Sequence, residues 1–167
     1  TRTGDDANGY TWSQPQKIVA NDQAAYDYFG YSVAISGDTA IVGARGEDHD
    51  VYGINYKSIA GSAYIFTRNG DSWSQSQKIF ANDLGSHDRF GWSVAISGNT
   101  AIVGAYYHDE GGDRAGAAYI FTRTGDDVNG YTWSQSEKIV ARDRARADFF
   151  GNSVVIDENE QYFIIGS

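Results

Sequence analysis

An internal repeat of about sixty residues constrains this chain more than any other feature. The segment FGYSVAISGDTAIVGA at 29–44 returns at 90–105 as FGWSVAISGNTAIVGA, with two of sixteen positions changed. A third, more divergent copy begins at Phe150 with FGNSVVIDENEQYFIIGS. Identity this high indicates that the copies occupy equivalent environments. We therefore predict one domain over 1–167, with repeat units of about 12–72, 73–132 and 133–167.

Each full repeat predicts four short antiparallel strands. The first strand, FGYSVAIS, alternates Val33 and Ile35 with small residues, and a Gly-Asp or Gly-Asn turn joins it to the second, TAIVGA. After a polar loop, the third strand is GSAYIFTR or GAAYIFTR, and the fourth is WSQSQKIFA, whose Ser74, Ser76 and Lys78 predict a wet outer face. A leading outer strand over 12–20 and a trailing pair over 150–167 bring the total to eleven.

The composition supports an all-β chain. The sequence contains 20 Gly, 12 Tyr, 8 Phe and 4 Trp, one Leu and no Met, so its apolar residues are mainly the β-branched and aromatic ones that suit strands. The absence of Cys excludes a disulfide framework, a thiolate zinc site and a cysteine nucleophile. The start at Thr1 predicts a processed chain or part of a longer one.

Repeated four-stranded sheets predict a β-propeller. Strands rich in Ala, Gly and Ser suit its crowded axis, and strands carrying Trp, Tyr and Phe suit its rim. A two-sheet sandwich would not require near-identical copies, and a solenoid would need a shorter period. Eleven strands make about 2.75 blades, whereas a closed propeller needs at least about four. We therefore expect a partial propeller, or one that other subunits complete.

The net charge limits the partners. At −9, with a pI of about 4.6, the chain would repel a phosphate backbone, so we expect no nucleic-acid partner. No apolar run approaches the 18 or so residues of a transmembrane helix, so we expect no direct membrane insertion.

The repeated motif resembles a known family. The pattern D-x-F-G-x-S-V-A-I-S-G-D-T-A-I-V-G-A, followed by G-A-A-Y-I-F-T-R, is similar to the FG-GAP repeat of integrin-α-type propellers and their bacterial surface-protein relatives. The resemblance implies one propeller blade per repeat, in an extracellular or cell-surface protein that binds ligands or other proteins, often with calcium. The recurring residues that we expect to be structural are Phe29, Gly30, Phe90, Gly91, Phe150, Gly151, Trp12, Trp73 and Trp133.

Calcium, if bound, is expected in the loop after the second strand. The integrin-type site lies in the first hairpin, but here that hairpin is the tight turn 36–39, which offers too few oxygens. The later loop carries Asp48 and Asp50 in one copy and Asp109 and Asp113 in the next. These carboxylates are candidate Ca²⁺ ligands, and a solvated acidic loop is the favoured alternative.

Other recurring polar residues have simpler explanations. Two aspartates spaced five residues apart precede each FG, and we interpret them as turn formers. They are Asp22 and Asp27, Asp83 and Asp88, and Asp143 and Asp148. The three histidines do not share one repeat position, although His108 aligns with Glu47. No catalytic constellation emerges, so we expect no enzyme activity.

Aromatic residues supply the candidate ligand contacts. Tyr31 and Trp92 align directly after the FG, where they could stack on a sugar or, as the favoured interpretation, fill the space between blades. Tyr106, Tyr107 and His108 lie in a variable loop, and unrepeated loop residues on a repeated scaffold commonly determine binding.

Three functions remain open from the sequence. The first is a non-catalytic extracellular binding or adhesion module whose loops contact a protein or carbohydrate ligand at the cell surface. The second is a structural repeat that associates with further copies of itself in a surface fibre or oligomer. The third is the accessory propeller of a secreted enzyme.

Overall fold

The computed structural model describes residues 2–5, 9–12, 15–48, 57–110, 113–126 and 130–167. In these ranges the chain forms twelve strands and no helix. The strands are β1 (Arg2–Asp5), β2 (Gly9–Trp12), β3 (Phe29–Ser36), β4 (Thr39–Ala44), β5 (Ser62–Asn69), β6 (Ser72–Ile79), β7 (Ser93–Ser97), β8 (Thr100–Ala105), β9 (Ala117–Asp126), β10 (Gly130–Ile139), β11 (Ser153–Ile156) and β12 (Phe163–Gly166). A search of the same residues finds no helix that could cross a membrane.

Each full repeat forms one antiparallel four-stranded sheet, as the sequence predicts. The first sheet has the order β3-β4-β5-β6 and the second has the order β7-β8-β9-β10, so strands that are consecutive in sequence pair with one another. Strands β11 and β12 form the first half of a third sheet. Because β7 contacts both β3 and β11, the first strands of the three sheets lie side by side. The all-β prediction of partial propeller blades is therefore confirmed.

The leading segment differs from the prediction of one outer strand over 12–20. Instead, β1 and β2 form a hairpin in which Arg2 pairs with Trp12, and residues 15–20 form no ladder. The same register joins Arg123 to Trp133 at the tip of β9 and β10. Residues 15–20 have no third strand to pair with among the described residues, and Pro15 lacks a backbone N–H.

Small residues bring the inner strands of adjacent blades together. The Ser32 hydroxyl donates to the Gly91 carbonyl at 2.8 Å, and at the next junction Ser93 donates to Gly151 at 2.7 Å. A Cβ on Gly43 would collide with the Gly91 carbonyl. The crowding that we expected at the axis therefore explains the Ser and Gly content of these strands.

Glutamines connect the outer parts of adjacent blades. The Gln16 amide donates to the Trp73 carbonyl at 2.9 Å and accepts from its N–H at 2.7 Å. Gln77 makes the same pair of bonds to Trp133, at 2.7 and 2.8 Å. Residues 15–20 therefore occupy the outer-strand position of a preceding blade, although they lack its ladder.

The FG motif fixes each crossover between blades. The Phe90 ring lies 5.6 Å from Tyr119 and 5.9 Å from Phe121, centroid to centroid, and Phe29 contacts Tyr64 and Phe66 at the same two distances. The preceding aspartates close the turn, as predicted: a carboxylate oxygen accepts the N–H of the residue three positions earlier. These aspartates are Asp27, Asp88 and Asp148.

The two ends of the blade array expose apolar residues that its middle buries. Val33 on β3 is 67 % exposed, whereas its counterpart Val94 on β7 is 9 % exposed because it packs against the first blade. Ile35 and Ile96 show the same contrast. At the other end, Val155 and Ile164 are exposed on β11 and β12. Both flanks therefore have the chemistry of an interface between blades.

Candidate ligand-binding face

The antiparallel order sends all the long connections to one end of the blades. The tight turns after β3 and β5 lie at one end, and the loop 45–61 and the crossover 80–92 lie at the other. The second blade repeats this arrangement with 106–116 and 140–152. We call the described parts of these connections the loop face. Long connections on a rigid sheet scaffold are a common position for binding residues.

A row of aromatic side chains crosses the loop face from one blade to the next. Its members are Tyr31, Trp92, Tyr106, Tyr107 and Phe149. The centroids of successive rings are 4.5, 4.0, 4.2 and 5.7 Å apart. We call this set the aromatic row. The favoured prediction for Tyr31 and Trp92 is that they fill the space between blades. The geometry agrees for this pair, because the two rings pack on each other across the blade junction.

Arginines cover the aromatic row. The guanidinium of Arg45 lies 4.4 Å from the centroid of Tyr31 and 5.1 Å from that of Trp92. Arg89 lies 4.3 Å from the centroid of Tyr107 and donates to the Tyr106 hydroxyl at 2.7 Å. Attraction between a cation and the face of a ring stabilises such pairs. The Nε atoms of Arg45 and Arg89 are buried and have no hydrogen-bond partner among the described residues.

Two cavities at equivalent repeat positions open beside the aromatic row. The first, of about 540 Å³, is lined by Tyr26, Tyr28, Arg45, Gly46, Asp48, Ser58, Ile59 and Arg89. The second, of about 410 Å³, is lined by Ser86, His87, Arg89, Tyr107, Asp109, Asp113 and Arg114. Arg89 lines both cavities, because the crossover that carries it lies between the two blades. The loop face thus offers aromatic surface and guanidinium donors together.

Two of the predicted metal ligands close their own loops. The Asp48 carboxylate accepts the N–H of Ile59 at 2.5 Å, and Asp109 accepts the N–H of Arg114 at 2.9 Å. Because the two aspartates occupy the same repeat position, their shared role is a turn, which is common for this side chain. Asp50 lies outside the described residues.

The calcium prediction stays a prediction, and the remaining described candidate has a protein partner. This candidate, Asp113, pairs with Arg146 at 3.1 Å. Within the described ranges, one group of metal-ligating side chains converges, and it consists of Asp83, His108 and Glu110. The Lys138 ammonium already binds all three, so a protein cation occupies the centre of the group. Calcium requires six to eight oxygen ligands, which this set does not supply.

The three predicted ligand-binding residues separate in the structure. Tyr107 is half-buried and lines the second cavity, so it remains a candidate ligand contact. Tyr106 is buried in the middle of the aromatic row. His108 is buried and contacts Asp88 and Lys138, so its ring is not available to a ligand.

A buried ion pair anchors the loop of the first blade. The Lys78 ammonium lies 3.0 Å from a Glu47 oxygen and 2.7 Å from Asp22, and the Ser62 hydroxyl donates to Glu47 at 2.8 Å. The side chain of Lys78 is 5 % exposed and that of Glu47 is 2 % exposed. The prediction that Lys78 lies on a wet outer face is therefore wrong, because this lysine is buried beside the buried carboxylate of Glu47.

The second blade builds the same anchor from different residues. His108 replaces Glu47, and its Nδ1 lies 2.9 Å from Asp88 while its Nε2 lies 2.8 Å from the Lys138 ammonium. Lys138 also pairs with Asp83 at 2.5 Å and with Glu110. Burial opposes the protonation of His108, but the hydrogen bond and charge of Asp88 outweigh it, so the pKa of His108 is raised above its usual value.

We expect His108 to make the stability of the chain depend on pH. A histidine whose pKa is raised by folding stabilises the folded state fully below its unfolded pKa of about 6.5, and this contribution is lost as the pH rises through the folded value. Melting temperatures of the wild type and of His108→Gln, measured between pH 5 and 9, should differ most in favour of the wild type at the acid end. A difference that stays constant over this range would contradict the prediction.

Sequence reasoning missed the lysine anchors and the arginines of the loop face. A lysine follows each tryptophan by five residues, at Lys17, Lys78 and Lys138, and this recurrence in a strand otherwise rich in Ser and Gln was the available signal. No such recurrence marks the arginines, because Arg45 aligns with Tyr106 in the repeat and Arg89 aligns with Tyr28. Both arginines lie over the aromatic row only because neighbouring blades pack together.

Comparison with known proteins agrees with the repeat architecture. The family model of the FG-GAP repeat matches residues 12–66, 73–121 and 133–167, one match for each predicted repeat unit. Comparison with curated proteins gives no significant match. The three matches cover more than half of the chain, and each begins in the outer segment of the preceding blade and includes the first two strands of its own sheet. The chain therefore belongs to the FG-GAP repeat family.

Proposed function

We propose that this chain is a non-catalytic binding module of an extracellular or cell-surface protein, and that its loop face contacts a protein or glycan ligand. The observation that carries the proposal is the aromatic row covered by Arg45 and Arg89. Tyr, Trp and Arg are the residues that dominate the energetics of protein interfaces. The extracellular or cell-surface location is proposed because it is typical of proteins with FG-GAP repeats.

The arginines favour a ligand that carries hydrogen-bond acceptors or negative charge. The side chains of Arg45 and Arg89 line the cavities of the loop face, and a guanidinium binds carboxylate groups with matched geometry. An acidic peptide segment or an acidic sugar fits both the donors and the ring surfaces.

The test is a binding screen with variants of the loop face. Wild-type protein is applied to an array of neutral and acidic glycans and to an array of acidic, basic and neutral peptides. We expect acidic probes to bind, and we expect Arg89→Ala and Tyr107→Ala each to weaken binding by ten- to thirtyfold, the effect of losing about 1.4–2 kcal/mol.

The matched control lies at the opposite end of the blades. Tyr131 is exposed there, with the Arg123 guanidinium 4.6 Å from its ring centroid, in a separate cavity of about 470 Å³. We expect Tyr131→Ala to bind like the wild type. Loss of binding in this variant alone, or no binding of any probe by the wild type, would refute the proposal. Melting temperatures of all variants verify that they are folded.

A further inference from the structure

Left-handed backbone angles at residues other than glycine are concentrated around the two cavities of the loop face. Among the described residues, nine such residues have a positive φ angle, and eight of them lie in the loop face or in the equivalent segment 21–28 before β3. A left-handed backbone is unfavourable for any residue with a Cβ and suits glycine. Six of the eight line one of the cavities, namely Tyr26, Tyr28, Ile59, His87, Arg89 and Arg114.

One repeat position shows that the scaffold sets this conformation. Tyr26, His87 and Ala147 occupy the same position in the three copies, and their φ angles are +74°, +71° and +64°. The aspartate that follows each of them closes the turn through its carboxylate. The His87 N–H also donates to the Ser58 carbonyl at 2.7 Å, and the Ala147 N–H donates to the Asp113 carbonyl at 2.9 Å. Because three such different side chains share one backbone conformation, the conformation does not depend on the side chain.

Glycine would suit this position better, and the same crossover uses glycine nearby. Four residues later, Gly30, Gly91 and Gly151 have φ angles of +86°, +84° and +88°, so all three copies place glycine at that left-handed position. At the earlier position the chain instead keeps a tyrosine and a histidine. A side chain kept where glycine is favoured lowers the stability of the fold, and such strained residues cluster at functional sites.

The side chains of Tyr26 and His87 are directed to the cavities and not to the core. Tyr26 is 81 % exposed and lines the first cavity, and His87 is exposed and lines the second. Within the part of the chain that the structure describes, neither side chain forms a hydrogen bond, an ion pair or a ring contact. Neither of them therefore offsets the backbone strain with a directional contact to the fold.

We propose that Tyr26 and His87 are specificity-determining ligand contacts, one for each cavity, which the chain keeps at the expense of its stability. The inference rests on the proposed function and assigns the parts of the ligand to the two cavities. Tyr26 and Tyr28 give the first cavity ring surface, whereas His87 and Arg114 give the second cavity N–H donors. The ligand should therefore place a ring or apolar group beside a group that accepts hydrogen bonds.

The experiment separates the side chain from the strain, and it titrates the acidic peptides and glycans of the binding screen. Tyr26→Ala removes the ring but keeps a Cβ on the left-handed backbone, so we expect binding to weaken by about three- to tenfold at an unchanged melting temperature. Tyr26→Gly also relieves the strain. We expect it to bind as weakly as Tyr26→Ala and to raise the melting temperature by about 2–4 °C. His87→Ala and His87→Gly should form the same pair.

Ala147→Gly is the matched control. It relieves the same left-handed strain at the third copy of the position, and Ala147 lines neither cavity. We expect it to raise the melting temperature like Tyr26→Gly and to bind the probes like the wild type.

Two results would overturn the inference while the proposed function stands. The first is binding of the probes by Tyr26→Ala and His87→Ala at wild-type affinity. The second is a lower melting temperature in Tyr26→Gly and His87→Gly, because the side chains would then serve the fold. Failure of the wild type to bind any probe refutes the proposed function itself, and the two cases are therefore distinguishable.

Discussion

Replacing Lys78 with methionine should lower the free energy of unfolding by about 3–5 kcal/mol, the usual cost of leaving a buried charge without its partner. Glu47 would lose the ammonium that lies 3.0 Å from its carboxylate, and the Ser62 hydroxyl that donates to it carries no charge to replace it. Urea denaturation of the wild type and the variant measures the difference.

Two controls separate the loss of the ion pair from other effects of the change. In the double variant Lys78→Met with Glu47→Gln, both charges are removed, so much of the stability should return. The exposed pair of Arg68 and Asp38 should contribute less than about 1 kcal/mol, and Asp38→Asn tests it. A loss in Lys78→Met no greater than that in Asp38→Asn would contradict the prediction.

Alanine at Gly91 should destabilise the chain much more than alanine at Gly30, although the two glycines occupy the same repeat position. Their φ angles are +84° and +86°, so each substitution places a side chain in the left-handed region and costs about 1–2 kcal/mol. At Gly91 the new Cβ would also collide with the Ser62 carbonyl and lie 3.1 Å from the Ala44 nitrogen, which adds about 1–3 kcal/mol of strain.

Gly30 is the internal control because a Cβ there meets no atom within 4 Å. The difference in the free energy of unfolding between the two variants, measured by urea denaturation, therefore reports the close approach of adjacent blades. The cost of a side chain in the left-handed region is common to both variants and cancels. Equal losses of stability would show that the junction can widen to accept a methyl group.

The repeat made the blades predictable from the sequence, but the contacts between blades could not be predicted in the same way. Copies at a spacing of sixty residues, with a strand pattern in each, were enough to predict four-stranded sheets and the structural FG pairs. A strand pattern assigns a residue only to one of two faces. It placed Lys78 with Ser74 and Ser76, because the carboxylate of Asp22 that draws it inward lies 56 residues earlier in the chain.

The candidate site was predictable in position and only partly in composition. The variable loop contributes Tyr107 to the second cavity of the loop face. The neighbouring His108 is buried against Asp88, because it takes the place that Glu47 holds in the first repeat. Aspartates in such loops have the same sequence pattern whether they bind metal or close a turn. The turn role of Asp48 and Asp109 became visible only from the backbone N–H groups that they accept.

The serine bond near the axis and the glutamine bonds near the rim have a joint geometric effect. The junction between the first and second blades is fastened at two radii, by Ser32 near the axis and by Gln77 near the rim. One hydrogen-bonded contact fixes only a distance between two blades, whereas two contacts at different radii also fix the wedge angle between successive blades. A ring closes when its wedge angles add up to a full circle. Two side chains per repeat therefore help to determine how many blades a closed assembly of these repeats contains.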